Sequence, residues 1–281
     1  MTSQPVQTWA SAEAVSHWRE GAARRATVLH DATEQMLDAA GLRPGARVLD
    51  LAAGSGDQTV VAARRVGPTG SVLAIDISAS MIAAAQEAFR AAGLTNVETL
   101  VSDITDLHLE PESFDAAICR LGLMFLPSPE AGLRRIREGL KPGSRLGALV
   151  WSSADRNPYM STVVSIVREM GKMPDPPPTI LRAMSLGAPG ALERALVAAG
   201  FEDVSVRPVP IVRDFASVDE TIELLREGSS PQQELLSGLS EGERKEVWQQ
   251  AARRLQAFRK QDGRVSIPGE ALLGTGKRPS R

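Results

Sequence analysis

Two rhythms of apolar residues run along this chain. Residues 9–40 have helical spacing, with Trp9, Val15, Trp18, Leu29, Met36 and Leu37 as the apolar marks, and Gly41 and Pro44-Gly45 stop the pattern. From residue 46 short apolar runs alternate with helical stretches. Strands are predicted at 47–51, 71–75, 96–101, 114–119 and 145–151. Helices are predicted at 57–66, at 78–92 ending in Gly93, and at 130–140 ending in Lys141-Pro142-Gly143. Strands separated by helices of this length form βαβ units, whose right-handed crossovers build a parallel sheet with helices on both faces.

The rhythm changes after Trp151. A helix is predicted at 159–170, followed by an extended proline run at 173–178 and a helix at 190–199 closed by Gly200. Residues 202–212 are β-like, and Pro208 and Pro210 place them at a sheet edge. Residues 217–260 look helical, and 264–275 form a last strand interrupted at Pro268. The fold expected is α/β: a doubly wound, mostly parallel seven-stranded sheet with N-terminal helices and a helical insertion or lid. Its parts are a helical cap at 1–40, a central core at 41–152, and at 153–281 the lid with the completion of the sheet.

Composition narrows the function. Of 281 residues, 43% are apolar and 23% charged, and a net charge of −2 gives no global footprint for nucleic acid. The single cysteine, Cys119, excludes an internal disulfide and a cysteine-rich metal site, and reads as a buried small hydrophobe. Three scattered histidines add no metal site. No basic segment followed by an apolar run opens the chain, and no stretch of about 18 uncharged apolar residues could span a bilayer. A cytoplasmic location is the expectation.

The chemistry centres on Val48-Leu49-Asp50-Leu51-Ala52-Ala53-Gly54-Ser55-Gly56-Asp57, between a strand and a helix. Glycines there let backbone approach a ligand beyond the carboxyl ends of the strands. A phosphate loop needs Gly-Lys-Ser/Thr, and Gly56-Asp57-Gln58 stands instead. A dinucleotide fingerprint needs a third small residue where Thr59 stands, and Asp57 would repel a pyrophosphate. A ligand with no phosphate and a positive centre fits better, and S-adenosylmethionine is one; a glycine turn without a ligand remains open. Asp76 ends the second strand about 20 residues on, where a carboxylate can hold a ribose diol; alone, an Asp after a strand reads as a turn residue or helix cap.

The run from Asp50 to Asp76 resembles motifs I and II of the class I S-adenosylmethionine-dependent methyltransferases, in the version of the ubiquinone/menaquinone-biosynthesis branch. Val101-Ser102-Asp103-Ile104, Phe114-Asp115-Ala116-Ala117-Ile118-Cys119-Arg120 and Leu140-Lys141-Pro142-Gly143-Ser144-Arg145-Leu146 resemble later motifs in the same order. Ser144 replaces the second glycine of that turn. The resemblance covers about residues 45–152 and implies a Rossmann-like methyltransferase fold, with S-adenosyl-L-methionine as cofactor and S-adenosyl-L-homocysteine as product. It implies contacts to the methionine and ribose from Ala52, Gly54, Ser55 and Gly56, with Gln58 a further contact. Asp50 would hold the ammonium directly or through water, and Asp76 the ribose. Ile77 and Met81 would flank the adenine, and Asp103 and the Ile104 N–H would meet its edge. The Arg120 carbonyl would face the ammonium.

Methyl transfer is an in-line displacement from a sulfonium, so alignment supplies much of the rate and no metal is needed. A base is required only where the nucleophile must lose a proton. His17 is one candidate, against the bland reading of a solvated surface histidine, and His30 and His108 are weaker ones. Arg120 either pairs with a substrate acid or carbonyl, or anchors a loop by a salt bridge. Tyr159 would reach a substrate from the lid. Trp9 and Trp18 either pack the N-terminal helix or stack on a ligand. Leu121 to Leu126 pack a helix or line an apolar pocket.

The expected function is methylation of an O, N or C atom of a small metabolite. A cyclisation or rearrangement on the same scaffold, and a noncatalytic binding subunit, are the alternatives. Nucleic-acid methylation lacks its motif after strand 4, where Cys119-Arg120-Leu121-Gly122 stands. Residues 152–190 and 216–262 are where specificity is expected. A homodimer through the C-terminal insertion is the expected assembly.

Overall fold

Strands buried on both faces need near-continuous apolar runs, and the centre of this molecule is built from them. The computed structural model describes residues 21–173, 178–227 and 230–280. The chain enters through α1 (Ala22–Val28) and α2 (His30–Ala39) into β1 (Arg47–Leu51), α3 (Asp57–Val66), β2 (Ser71–Asp76), α4 (Ala79–Ala91) and β3 (Val97–Val101). It continues through β4 (Phe114–Arg120), α5 (Pro129–Gly139) and β5 (Leu140–Trp151). Ser78 and Ser128 cap α4 and α5 by accepting from the backbone N–H groups of Met81 and Ala131.

Beyond β5 come α6 (Pro158–Glu169), α7 (Pro178–Ala183), α8 (Ala191–Ala198), β6 (Glu202–Phe215), α9 (Val218–Glu227), α10 (Ser230–Ser237), α11 (Glu241–Leu255) and β7 (Val265–Lys277). The seven strands form one sheet in the order β3-β2-β1-β4-β5-β7-β6. β1 to β5 pair in parallel, and β7 runs antiparallel to both β5 and β6. The order reverses between β1 and β4, so a crevice opens beyond their carboxyl ends.

The expected doubly wound sheet is present, with three differences in its elements. β5 starts at Leu140, which pairs with Phe114 before a register shift to Ala116 and Arg145, so Lys141-Pro142-Gly143 opens the strand. The helical stretch at 217–260 is three helices, the last opened by a capping box between Ser240 and Glu243. β6 continues through Pro208 and Pro210 to Phe215. It is the edge strand, and two prolines two residues apart both turn their missing N–H away from β7. Pro268 lies where β7 has passed the end of β5, whose pairing stops at Trp151 and Ala271.

Three apolar clusters follow, the smallest of them Ala53, Ala74, Ala85 and Phe89. The largest joins Met36, Leu49, Leu51, Ile118, Leu133 and Ile136 around the sheet. The second lies under the lid, where Val163, Ile166, Ile222, Leu225, Val247 and Leu255 meet Phe215, Val265 and Ile267 from the projecting ends of β6 and β7. The helices beyond β5 are thus joined to the sheet by two long strands shared between these two clusters.

Candidate functional site

At the carboxyl edge of the sheet the backbone is forced into uncommon shapes. Ala52 and Leu121, which follow β1 and β4, have φ of 52° and 60°, and Gly54 and Gly56 have 56° and 85°. Two non-glycine residues in the left-handed region, side by side at a strand-order reversal, mark a place where surrounding packing overrides local preference. A Cβ on Gly122 would lie 2.4 Å from the Ala52 Cβ, and one on Gly56 would lie 2.6 Å from the Phe89 ring. Gly122 therefore lets the two loops meet, and Gly56 lets α3 close onto α4.

Asp50 is fully buried at the end of β1. Gln58 Nε2 donates to its Oδ1, and Thr59 Oγ1 donates to its Oδ2 at 2.6 Å. Both donors sit on the first turn of α3, so Asp50 locks the loop to the helix that follows it. Burial pushes its carboxyl up to about 7, against the bonds from Thr59 and Gln58 and the nearby Arg120 charge. The folded state therefore takes up a proton that the unfolded chain does not hold until about pH 4. Stability from this group is complete below that value and lost as pH rises through about 7. Asp50→Asn is expected to be more stable relative to wild type at pH 8 than at pH 5, by about 2 kcal/mol. Urea unfolding at the two pH values measures this, and an unchanged difference refutes it.

The Arg120 guanidinium is engaged within the protein: Nη2 pairs with Asp57 at the start of α3, and Nη1 donates to Thr33 Oγ1 on α2 at 2.9 Å. Arg120 thus anchors the glycine loop's helix to β4 and α2, which is the loop-anchoring role weighed for it above. Arg25 Nη2 donates to Ser55 Oγ at 3.3 Å. Burial, with Arg120 nearby, pulls the Arg25 guanidinium down to about 10 against the Asp57 charge, so it remains cationic at neutral pH. α1 is in this way tied to the buried Ser55 of the loop.

Asp76 ends β2 facing the loop. Its Oδ2 accepts from the Gly54 N–H at 2.9 Å, and its Oδ1 from the Ser78 N–H at 2.9 Å. Burial raises its carboxyl, and backbone N–H groups of Ser78, Gly54 and Ile77 oppose the rise. Ile77 is half-buried beside it, and Met81 is buried on the first turn of α4. Asp103 follows β3, and its Oδ1 accepts from the Thr105 N–H and Oγ1, each at 2.8 Å. Ile104 is buried at the start of the short turn that follows. The crevice thus has the carboxylates of Asp76 and Asp103 at two successive strand ends, Asp50 buried behind the glycine loop, and a backbone path kept free of side chains, which suits a cationic, hydroxyl-rich ligand and not a phosphate.

A cavity of about 1610 Å³ adjoins this edge under the lid. Arg25, Leu121, Met124, Trp151 and Tyr159 are among its walls. Tyr159 lies on α6 and lines the cavity, with its ring stacked 5.4 Å from that of Phe215. Burial raises its hydroxyl. Of the other candidates, His30 lines the cavity, and His108, exposed beyond β3, has its Nδ1 2.7 Å from the Asp106 carbonyl. His17, Trp9 and Trp18 lie outside the described residues. Cys119 is buried, as expected, with its thiol pushed up to about 12 by burial. Among the described residues no cluster of His, Cys, Asp or Glu could hold a metal, and no helix is long and apolar enough to cross a membrane.

Sequence reasoning missed Thr33, Thr59 and Arg25. Thr59 lies nine residues from Asp50, but the contacts of Thr33 and Arg25 join residues 87 and 30 positions apart, which no local pattern reports.

Residues 48–143 match the family model described as a methyltransferase domain. The ubiquinone/menaquinone biosynthesis C-methyltransferase UbiE of Pasteurella multocida is 31% identical over 179 residues, covering 60% of this chain and 67% of that protein. UbiE of Pseudomonas aeruginosa is 34% identical over 142 residues, covering 49% of this chain and 56% of that protein. The match thus spans between about half and two thirds of these relatives. The crystal structure of Bacillus subtilis YcgJ superposes on 89% of this chain and 99% of its own, with a TM-score of 0.59 and 17% identity, a likeness of fold.

Proposed function

Because the chain belongs to the class I S-adenosylmethionine-dependent methyltransferases, we propose that it transfers the methyl group of S-adenosyl-L-methionine to a small molecule held in the cavity under its lid. The observation that carries this reading is the carboxylate of Asp76 set 2.9 Å from the Gly54 N–H, with the glycine loop and Asp50 behind it. When bound, the cofactor supplies an electrophilic methyl on a sulfonium, whose sulfur leaves neutral.

The chain's own residues bind and align. Asp76 takes the ribose diol in two charge-assisted hydrogen bonds. Ala52, Gly54, Ser55 and Gly56 offer backbone to the methionine and ribose, and Ile77 and Met81 cover the adenine. Asp103 accepts from the adenine amine beside the Ile104 N–H. The Arg120 carbonyl faces the ammonium, while Asp50 acts from behind the loop through Gln58 and Thr59. Of the expected cap at 1–40, residues 1–20 lie outside the described residues; α1 and α2 close one side, residues 41–152 carry the cofactor, and the lid within 153–281 excludes water. Tyr159 is the side chain best placed to meet the acceptor, and the apolar walls hold the acceptor's body. His17 stays a candidate base, tested by substitution. The family match does not favour cyclisation or a noncatalytic role. A cytoplasmic homodimer that binds no nucleic acid completes the reading, and light scattering tests the dimer.

Calorimetric titration tests the cofactor, and transfer of label from methyl-labelled cofactor into small molecules of a metabolite extract tests the acceptor class. Micromolar binding with label in the low-mass fraction supports the reading. Folded protein that binds no cofactor overturns it.

A further inference from the structure

Arg213 sits where a cation needs a reason. Along β6 the inward positions are Val209, Ile211, Arg213 and Phe215, three apolar residues and one guanidinium. The arginine lines the large cavity. Its guanidinium carbon lies 5.1 Å from the centroids of both the Trp151 and the Tyr159 rings. Phe215 stacks on the same Tyr159 ring, so the cation sits within a cluster of three aromatic rings.

The neighbours hold it without neutralising it. Among the described residues it makes no ion pair, and its buried Nη1 has no hydrogen-bond partner. Asp214, next in sequence, pairs with Lys260 at 3.6 Å. Asn157 is engaged with the backbone: its Nδ2 donates to the carbonyls of Ser153 and Glu270, and its Oδ1 accepts from the Glu270 N–H. A Cβ on Gly269 would lie 3.0 Å from Nη1, so the missing side chain there makes the slot the guanidinium occupies. Trp151 and Tyr159 flank the guanidinium, and the side chain lines the cavity. An arginine edge matches a pair of anionic oxygens. The guanidinium lines an apolar cavity with no carboxylate paired to it among the described residues, and an anion entering there supplies the counter-charge.

Resting on the methyl-transfer reading above, we infer that the acceptor is an acidic molecule with a large apolar body, and that Arg213 grips its anionic group while the aromatic and aliphatic walls hold the rest. The anionic group is a carboxylate or a phosphate ester, which share the paired oxygens. The cavity, at about 1610 Å³, exceeds the ordinary range for a small-ligand pocket and fits a sizeable apolar portion.

The full chain is titrated with three fluorescent probes of one size, 1-pyrenebutanoate, 1-pyrenebutyl phosphate and 1-pyrenebutanol, in the presence of S-adenosyl-L-homocysteine. Wild type is expected to bind at least one anion about tenfold or more tightly than the alcohol, and the favoured anion identifies the source. Arg213→Met is expected to bind anion and alcohol alike, and Arg213→Lys to keep part of the preference. Arg213→Gln serves where the methionine variant does not fold. Equal affinity for all three probes in wild type, no binding of any, or a preference that survives in the Arg213 variants each overturns the inference. A structural arginine would change stability without changing the ratio between probes. Binding of S-adenosyl-L-homocysteine, measured alone in the same preparation, separates a failure of this inference from a failure of the methyl-transfer reading.

Discussion

Replacing Asp76 by alanine is expected to weaken S-adenosyl-L-methionine binding by about 1.5–3 kcal/mol, roughly ten- to a hundredfold or somewhat more. Two charge-assisted hydrogen bonds to the ribose diol are lost together in the proposed complex, and charged contacts of this kind stand at the upper end of hydrogen-bond energies. A second loss adds to the first. In the free protein the same carboxylate accepts from the Gly54 and Ser78 N–H groups, so alanine also releases the loop that has to meet the methionine. Asp76→Asn separates the two effects, because its carbonyl oxygen still accepts from one backbone N–H while the charge is gone. The asparagine variant is expected to fall between wild type and alanine in calorimetry at fixed pH. Wild-type affinity in a folded Asp76→Ala protein would remove Asp76 from the site.

What the sequence made legible were features whose cause lies within a few residues. The strand at 47–51 and the helix at 57–66 were readable to the residue, because an apolar run, a glycine loop and a polar helix start follow each other directly. Asp76 was readable from its distance to the loop. The start of β5 was not, since Lys141-Pro142-Gly143 reads as a stop and only pairing of Leu140 with Phe114 makes it strand. The division of residues 217–260 was available in part, as Ser240 and Glu243 spell a capping box. Arg213 left a trace too: a cation in the inward register of β6, between Ile211 and Phe215. Its meaning needed Trp151 and Tyr159, which only the folded chain brings beside it. Arg120 shows the opposite limit. Its place at the end of β4 was right, but its partner Asp57 is 63 residues away, and nothing local chooses between that pair and a substrate.

That pair gives the second large effect. Arg120→Met is expected to destabilise the fold by about 3 kcal/mol or more, because it removes one member of a largely buried ion pair and strands the other. The Arg120 side chain is 5% exposed and the Asp57 side chain 13%, so water screens neither well. Thr33 also loses the donor that reaches it from Nη1. Arg25 still places a positive charge near Asp57, which limits the loss without replacing the direct contact. Asp57→Asn in the Arg120→Met background is expected to restore much of the stability, since an amide at the first turn of α3 carries no charge to bury. A double-mutant cycle by urea unfolding reads this as a coupling between the two sites of more than about 1 kcal/mol. The same cycle on cofactor affinity follows a different course. Both single variants loosen the start of α3, where Gln58 and Thr59 hold Asp50, and the double variant recovers stability without regaining the bond from β4. Additive stability losses with no coupling would show that Arg120 and Asp57 do not act as a pair, and the anchoring role assigned to Arg120 would fall with it.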